Sequence, residues 1–164
     1  MIFIIGFMGT GKSAVSKYLS THYGLSLVDT DEYIEHREKK SIPEIFASVG
    51  EDGFRAIETS CLREISEKDF DIVSCGGGIV LRPENIEIMK KRGKLILLSA
   101  TPETIFKRVK YSDNRPVLNG NMNVDFIRKK LSEREPFYSS AGAVEIKTDG
   151  KSLEAISAEM LPMI

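Results

Sequence analysis

"GFMGTGKS", residues 6–13, fits the pattern G-x-x-x-x-G-K-[ST]. An apolar run, "IFII" (2–5), precedes it, and a helical pattern over 12–22 follows. A strand before and a helix after are the setting in which this pattern forms a phosphate loop. Gly6, Gly9 and Gly11 let successive backbone N–H groups turn inward around phosphate oxygens. The helix N-terminus adds the positive end of its dipole. Lys12 supplies a mobile cation for β- and γ-phosphates, and the Ser13 hydroxyl can ligate Mg²⁺. The stretch therefore predicts a domain that binds a nucleoside triphosphate.

Outward from the loop, apolar runs alternate with amphipathic stretches. "LSLV" (25–28), "DIVSC" (71–75), "KLILLS" (94–99) and "AVEIKT" (143–148) read as further strands, short and without polar alternation. Such runs suit a parallel sheet covered on both faces. "PENIEIMKKRG" (83–93) opens with Pro and closes with Gly, and "TPETIFKRVK" (101–110) offers Thr as cap and Pro at the first helical position. The order predicts an α/β fold: three layers, αβα, around a five-stranded parallel sheet. Residues 31–68 hold several helices between two strands, enough for a substrate-binding insertion. "YSDNRPVLNGNMN" (111–123) is polar and turn-rich and reads as a lid.

With 164 residues, the chain suits one domain. Its net charge of −1 gives no basic footprint for nucleic acid. "MIFIIGF" is too short and lacks a basic leader for a signal peptide, and no apolar run approaches the ~20 residues of a membrane span. Cys61 and Cys75 form no metal-ligand pattern and read as reduced core thiols in a cytoplasmic protein. No D-x-x-G or N-K-x-D of the Ras-like GTPases is present. The end of the 71–75 strand carries Cys75 and Gly76 where a carboxylate for the metal would otherwise stand.

That carboxylate must come from elsewhere, and "LSLVDTDE" ends the second strand with Asp29 and Asp31. Ligands in such sheets bind at the carboxyl ends of the strands. If the chain stays extended, residues two apart point the same way. Asp29 would then support Mg²⁺, and Asp31 would orient or deprotonate the hydroxyl of a second substrate. Alternatively, Thr30 or Asp31 simply begins the helix "DEYIEHREKK".

"IVSCGGGIVL" (72–81) places three consecutive glycines, Gly76, Gly77 and Gly78, after a strand. They predict a turn that another group approaches closely. Arg55 and Glu58 lie in line with the apolar stripe of "EDGFRAIETSCLREISEK" (51–68), and Arg134 lies in line with Ile127 and Leu131. Each could be a salt-bridged edge residue. Together the two arginines suit a carboxylate or phosphate, and the glycines would then receive a small anionic, hydroxylated substrate. In "DNRPVL", Arg115 is restricted by Pro116 and could close over transferring phosphates, or it could be a solvated loop residue.

In order, "GFMGTGKS", "DTD", "FRAIE", "GGG", "NRPVL" and "REPFY" resemble the shikimate kinase family over essentially the whole chain. The resemblance implies a nucleoside monophosphate kinase-like fold for 1–164, with a shikimate-binding insertion at about 31–60 and a lid at about 111–123. It implies an ATP-dependent phosphotransferase with an alcohol acceptor, which moves the γ-phosphate to the 3-hydroxyl of shikimate in aromatic amino acid biosynthesis. Gly9, Thr10, Gly11, Lys12, Ser13 and Ala14 would hold ATP, with Ser13 and Asp29 on Mg²⁺. Asp31, Arg55, Gly77 and Arg134 would bind shikimate, with Glu58 buttressing Arg55. Arg115 would reach the phosphates, and Arg108 would stack on adenine with "TDGK" (148–151) on its other side. Ala14 stands where Thr is commoner in the family, so any hydroxyl contact is lost there. A gluconate kinase would share the loop but not the remaining set, and a non-catalytic nucleotide-binding module would not keep Lys12, Asp31 and Arg115 together. The expected protein is a monomer without nucleic-acid or membrane partners.

Overall fold

The computed structural model describes residues 1–110 and 123–164. Its five strands are β1 (Ile2–Ile5), β2 (Leu27–Asp29), β3 (Ile72–Ser74), β4 (Lys94–Ser99) and β5 (Val144–Lys147). They form one parallel sheet in the order β2-β3-β1-β4-β5. Central β1 shows why the apolar runs do not alternate with polar residues. Ile2 and Ile4 face one apolar layer, with Val15, Leu19, Ile96 and Met160, while Phe3 and Ile5 face the other, with Leu62, Met89 and Tyr138. Both faces of a buried strand must be apolar.

Helices α1 (Lys12–Tyr23) and α7 (Leu153–Met160) cover the first face. Helices α3 (Ile42–Ser66), α4 (Pro83–Arg92) and α6 (Val124–Ala141) cover the second. The expected αβα layering is present. Helix α5 (Pro102–Val109) follows β4 and packs beside α6 through Ile105, Val109 and Ile127.

Helices α2 (Thr30–Glu38) and α3 fill the stretch between β2 and β3, joined through Ile34, Ile45, Phe54 and Cys61. Ser41 and Glu44 form a capping box at the start of α3. Gly50, at φ 70°, breaks α3 into two segments, a conformation that disfavours a side chain. The helices between β2 and β3 end at Ser66, near the end of the 31–68 stretch expected to hold several helices.

Both ends of β2 differ from the sequence reading. Strand β2 begins at Leu27 rather than 25, because Ser26 instead donates through its N–H and hydroxyl to Asp71 Oδ2. The chain also does not stay extended through Asp31. Helix α2 starts at Thr30, and its cap is Asp29, not Thr30 or Asp31.

Candidate active site

The phosphate loop joins β1 to α1 at the carboxyl edge of the sheet. Gly6, Gly9 and Gly11 all have positive φ, and Gly11 ends the loop as the N-cap of α1 without any side-chain cap. The first N–H groups of α1 therefore have no side-chain acceptor from the cap and point at the loop mouth. Lys12 Nζ donates to the carbonyls of Gly6 (2.8 Å) and Phe7 (3.1 Å), so its ammonium spans the loop. Thr10 is buried, and its hydroxyl donates to Phe7 O at 2.8 Å. Ala14 is exposed on the first turn of α1.

Arg108 donates through Nη1 to Gly9 O and Thr10 O at 3.2 Å and to Thr148 Oγ1 at 3.0 Å, and through Nη2 to Thr148 O. Its guanidinium thus joins the phosphate loop to the turn after β5. Fully buried Thr148 donates its hydroxyl to Thr10 O at 3.0 Å, a link the sequence did not suggest.

Asp29 closes β2 and serves two neighbours. Its Oδ1 accepts from Asp31 N and Glu32 N, and its Oδ2 accepts from Ser74 Oγ at 2.8 Å. The parallel register sets Asp29 opposite Ser74 at the end of β3. Ser13, Ser16, Asp29, Glu32 and Ser74 line a cavity of about 100 Å³, together with Lys17 and Leu27. An all-oxygen donor set of hydroxyls and carboxylates fits a hard cation such as Mg²⁺. Among the described residues no group of three or more His, Cys, Asp or Glu side chains could hold a metal by itself. Mg²⁺ binds through one or two carboxylates and completes its shell with water and substrate phosphates. Ser16 Oγ is buried there without a hydrogen-bond partner.

The triple glycine is the meeting point of the acceptor side. None of Gly76, Gly77 and Gly78 has positive φ, so backbone strain does not explain them, and close approach of a neighbour accounts for Gly76 and Gly78. A methyl group at Gly76 would sit 2.5 Å from Asp31 Oδ1, and one at Gly78 would collide with the Arg55 guanidinium. Gly77 lies beside the phosphate loop, where a Cβ would come 3.6 Å from Met8 N. Gly77 O accepts from Arg134 Nη1 at 2.6 Å. Behind the turn, Gly76 N donates to the buried Thr30 hydroxyl at 2.8 Å.

Arg55 and Arg134 reach this turn from different helices. Arg55 donates through Nη1 to Glu58 Oε2 at 2.8 Å, and Glu58 is 2% exposed. Burial raises the Glu58 carboxyl, and the nearby Arg55, Arg134 and Arg82 oppose that rise. Arg55 Nε is buried with no partner. Burial, then the negative charges of Asp29 and Glu58, push Asp31 up to about 6, while the Lys12 ammonium acts in the opposite direction. The structure therefore brings Lys12, Ser13, Asp29, Asp31, Arg55, Arg134 and the three glycines to one edge of the sheet. Arg115 and 111–122 of the expected lid lie outside the described residues.

A family model described as shikimate kinase matches residues 8–164. A shikimate kinase from Dehalococcoides mccartyi is 42% identical over 159 residues, covering 97% of this chain and 90% of the relative. The solved structure of shikimate kinase from Acinetobacter baumannii in complex with shikimate superposes with a TM-score of 0.89 at 31% identity, covering 98% of this chain and 89% of that one. A gluconokinase from Sinorhizobium meliloti shares the fold, with a TM-score of 0.64 at 14% identity over 98% of this chain and 89% of that one. By sequence, fold and extent of match, this chain belongs to the shikimate kinase family.

Proposed function

We infer that this chain transfers the γ-phosphate of ATP to the 3-hydroxyl of shikimate, giving shikimate 3-phosphate and ADP. One observation carries the acceptor side: Arg55 Nε is a buried donor without a partner, on a guanidinium packed against Gly78. An unpaired buried donor costs about 1–3 kcal/mol, and an incoming carboxylate would remove that cost. Arg134, fixed on Gly77 O, offers a second cation from the opposite helix.

The chemistry divides among the residues of the edge. The α1 N-terminus, the loop 9–14 and Lys12 hold the phosphates and oppose their charge. Ser13 and Asp29 would hold Mg²⁺, which supplies charge neutralisation at the β- and γ-phosphates. Asp31 accepts the proton of the acceptor hydroxyl as that oxygen bonds to the γ-phosphorus and the bond from phosphorus to the β–γ bridging oxygen breaks, releasing ADP. A base with a pKa of about 6 is mostly ionised at neutral pH yet basic enough to take a proton. Arg55, Arg134 and the backbone of Gly76–Gly78 orient the ring. Arg108 and the 148–151 turn would border the base end of the nucleotide, and Arg115, outside the described residues, would act on the phosphates.

The segment 1–164 acts as one kinase unit in this reading, with an acceptor-binding insertion and a lid at about 111–123. It works as a cytoplasmic monomer. Among the described residues no helix is long and apolar enough to cross a membrane. A coupled ADP-release assay with shikimate, gluconate or no acceptor tests the reading. Shikimate-dependent release is expected, and release only with gluconate would replace the acceptor.

A further inference from the structure

Phe7 is the second residue of the phosphate loop, and both its backbone and its ring are fixed. Its carbonyl accepts from Lys12 Nζ at 3.1 Å and from the Thr10 hydroxyl at 2.8 Å. Its side chain is 1% exposed and packs with Ile105 and Val109 of α5 and Ile127 of α6. The central carbon of the Arg134 guanidinium lies 5.8 Å from the centre of that ring. Ile127 and Arg134 stand at i and i+7 on α6, so one face of the helix presents both to Phe7. We propose that Phe7 is a positioning residue for the acceptor: its ring seats Arg134 through a cation–π contact and ties the acceptor's cation to the phosphate loop. The proposal rests on the reading of Arg134 as a shikimate-binding residue.

The two arginines of the site are held in different ways. Arg55 is paired with the buried carboxylate of Glu58. Arg134 pairs with no carboxylate among the described residues. It is held by Gly77 O and the Phe7 ring, with the Tyr138 hydroxyl one turn along α6. The face of a ring attracts a cation without neutralising it, so the guanidinium keeps its full charge for an incoming carboxylate. A carboxylate in place of the ring would compete with that of the acceptor. An aliphatic side chain would fill the space without the attraction. The ring also belongs to the residue whose carbonyl Lys12 holds. The cation for the phosphates and the cation for the acceptor are therefore set relative to each other through one residue. Gly77 completes the junction, since a Cβ there would come 3.6 Å from the N–H nitrogen of Met8, the residue after Phe7.

Phe7→Leu keeps an apolar side chain and removes the ring face. Shikimate affinity, read by calorimetric titration, should fall by about 2- to 30-fold, the range of a cation–π contact. KM for shikimate should rise with kcat little changed, because the contact acts on binding alike before and during transfer. ADP affinity should stay parental, and an ADP loss as large as the shikimate loss would overturn the proposal, because the loop itself would then have shifted. Arg134→Gln is the control. It should weaken shikimate, and Phe7→Leu should add no further loss in its background. An equal loss from Phe7→Leu with and without Arg134 would make the ring a packing residue and overturn the proposal. If Arg134→Gln weakens shikimate and Phe7→Leu does not, the proposal falls and the acceptor reading stands. If Arg134→Gln has no effect, both fall. Should Phe7→Leu fail to fold, tetrafluorophenylalanine at position 7 nearly keeps the ring's size while weakening its negative face. A loss of shikimate affinity is expected from it too, and parental affinity would overturn the proposal.

Discussion

The hydroxyl of Thr30 accepts a hydrogen bond from the backbone N–H of Gly76 at 2.8 Å, with both groups buried. That one bond pins the triple-glycine turn to the first turn of α2, where Asp31 sits directly over Gly76. The candidate base and the backbone beneath the acceptor ring are thereby set relative to each other.

Thr30→Val keeps the shape and removes the acceptor, leaving Gly76 N–H unpaired. The expected loss is about 1–3 kcal/mol of stability with a raised KM for shikimate. Thr30→Ser should restore both, measured by urea denaturation and steady-state kinetics. A Val variant with parental KM would make the bond purely structural.

Arg55→Lys and Arg134→Lys should each weaken shikimate despite the retained charge. Lysine cannot present the planar fork, and Arg134 uses one arm of it on Gly77 O. Losing one charge-assisted bond costs about 1.5–3 kcal/mol, roughly ten- to a hundred-fold in affinity. Calorimetric titration with shikimate checks this, and parental affinity in both variants would return the arginines to a salt-bridge role.

The raised Asp31 carboxyl makes two pH predictions. Activity should lose a single proton-dependent limb below about pH 6, as the base becomes protonated. For stability, an aspartate that holds its proton more tightly when folded than at its ordinary value of 3.8 contributes fully below that value. The contribution is lost as the pH rises through about 6. Denaturation of the parent and of Asp31→Asn from acid to neutral pH should show the parent losing ground across that window, and a constant difference would contradict the assignment.

Lys12→Ala should leave a folded protein and reduce turnover by at least ~10²-fold, the scale of losing one preorganised charge-stabilising group. The variant also loses two bonds to loop carbonyls. Circular dichroism and thermal melts are therefore needed beside the kinetics, and near-parental turnover in a folded variant would remove Lys12 from the chemistry.

The phosphate loop was legible in the sequence because its determinants are local: a strand, glycines at fixed offsets, and a helix start. The alignment of Arg55 and Glu58 with an apolar stripe was legible for the same reason, since i,i+3 neighbours share a helix face. The position of Asp31 was inferred by extending β2, and that premise was wrong because Asp29 itself caps α2. The bonds made by Ser74, Thr30 and Thr148 are not legible in the same way, because their partners, Asp29, Gly76 and Thr10, are set by strand register and packing between distant segments. Ser74 could have been found by aligning the ends of β2 and β3. For Thr148 no comparable local signal exists.

The bonds that join the separate elements of the site to one another span long stretches of chain. Asp29 with Ser74 closes 45 residues, Thr30 with Gly76 closes 46, Arg134 with Gly77 closes 57, and Arg108 with Thr10 closes 98. Helices can form early from local contacts, whereas closures of this length cost entropy that is recovered only once the parallel strands have assembled. Upon refolding from denaturant, phosphotransfer should therefore return later than far-ultraviolet helical signal, and a nick between β3 and β4 that lets the fragments part should abolish it entirely.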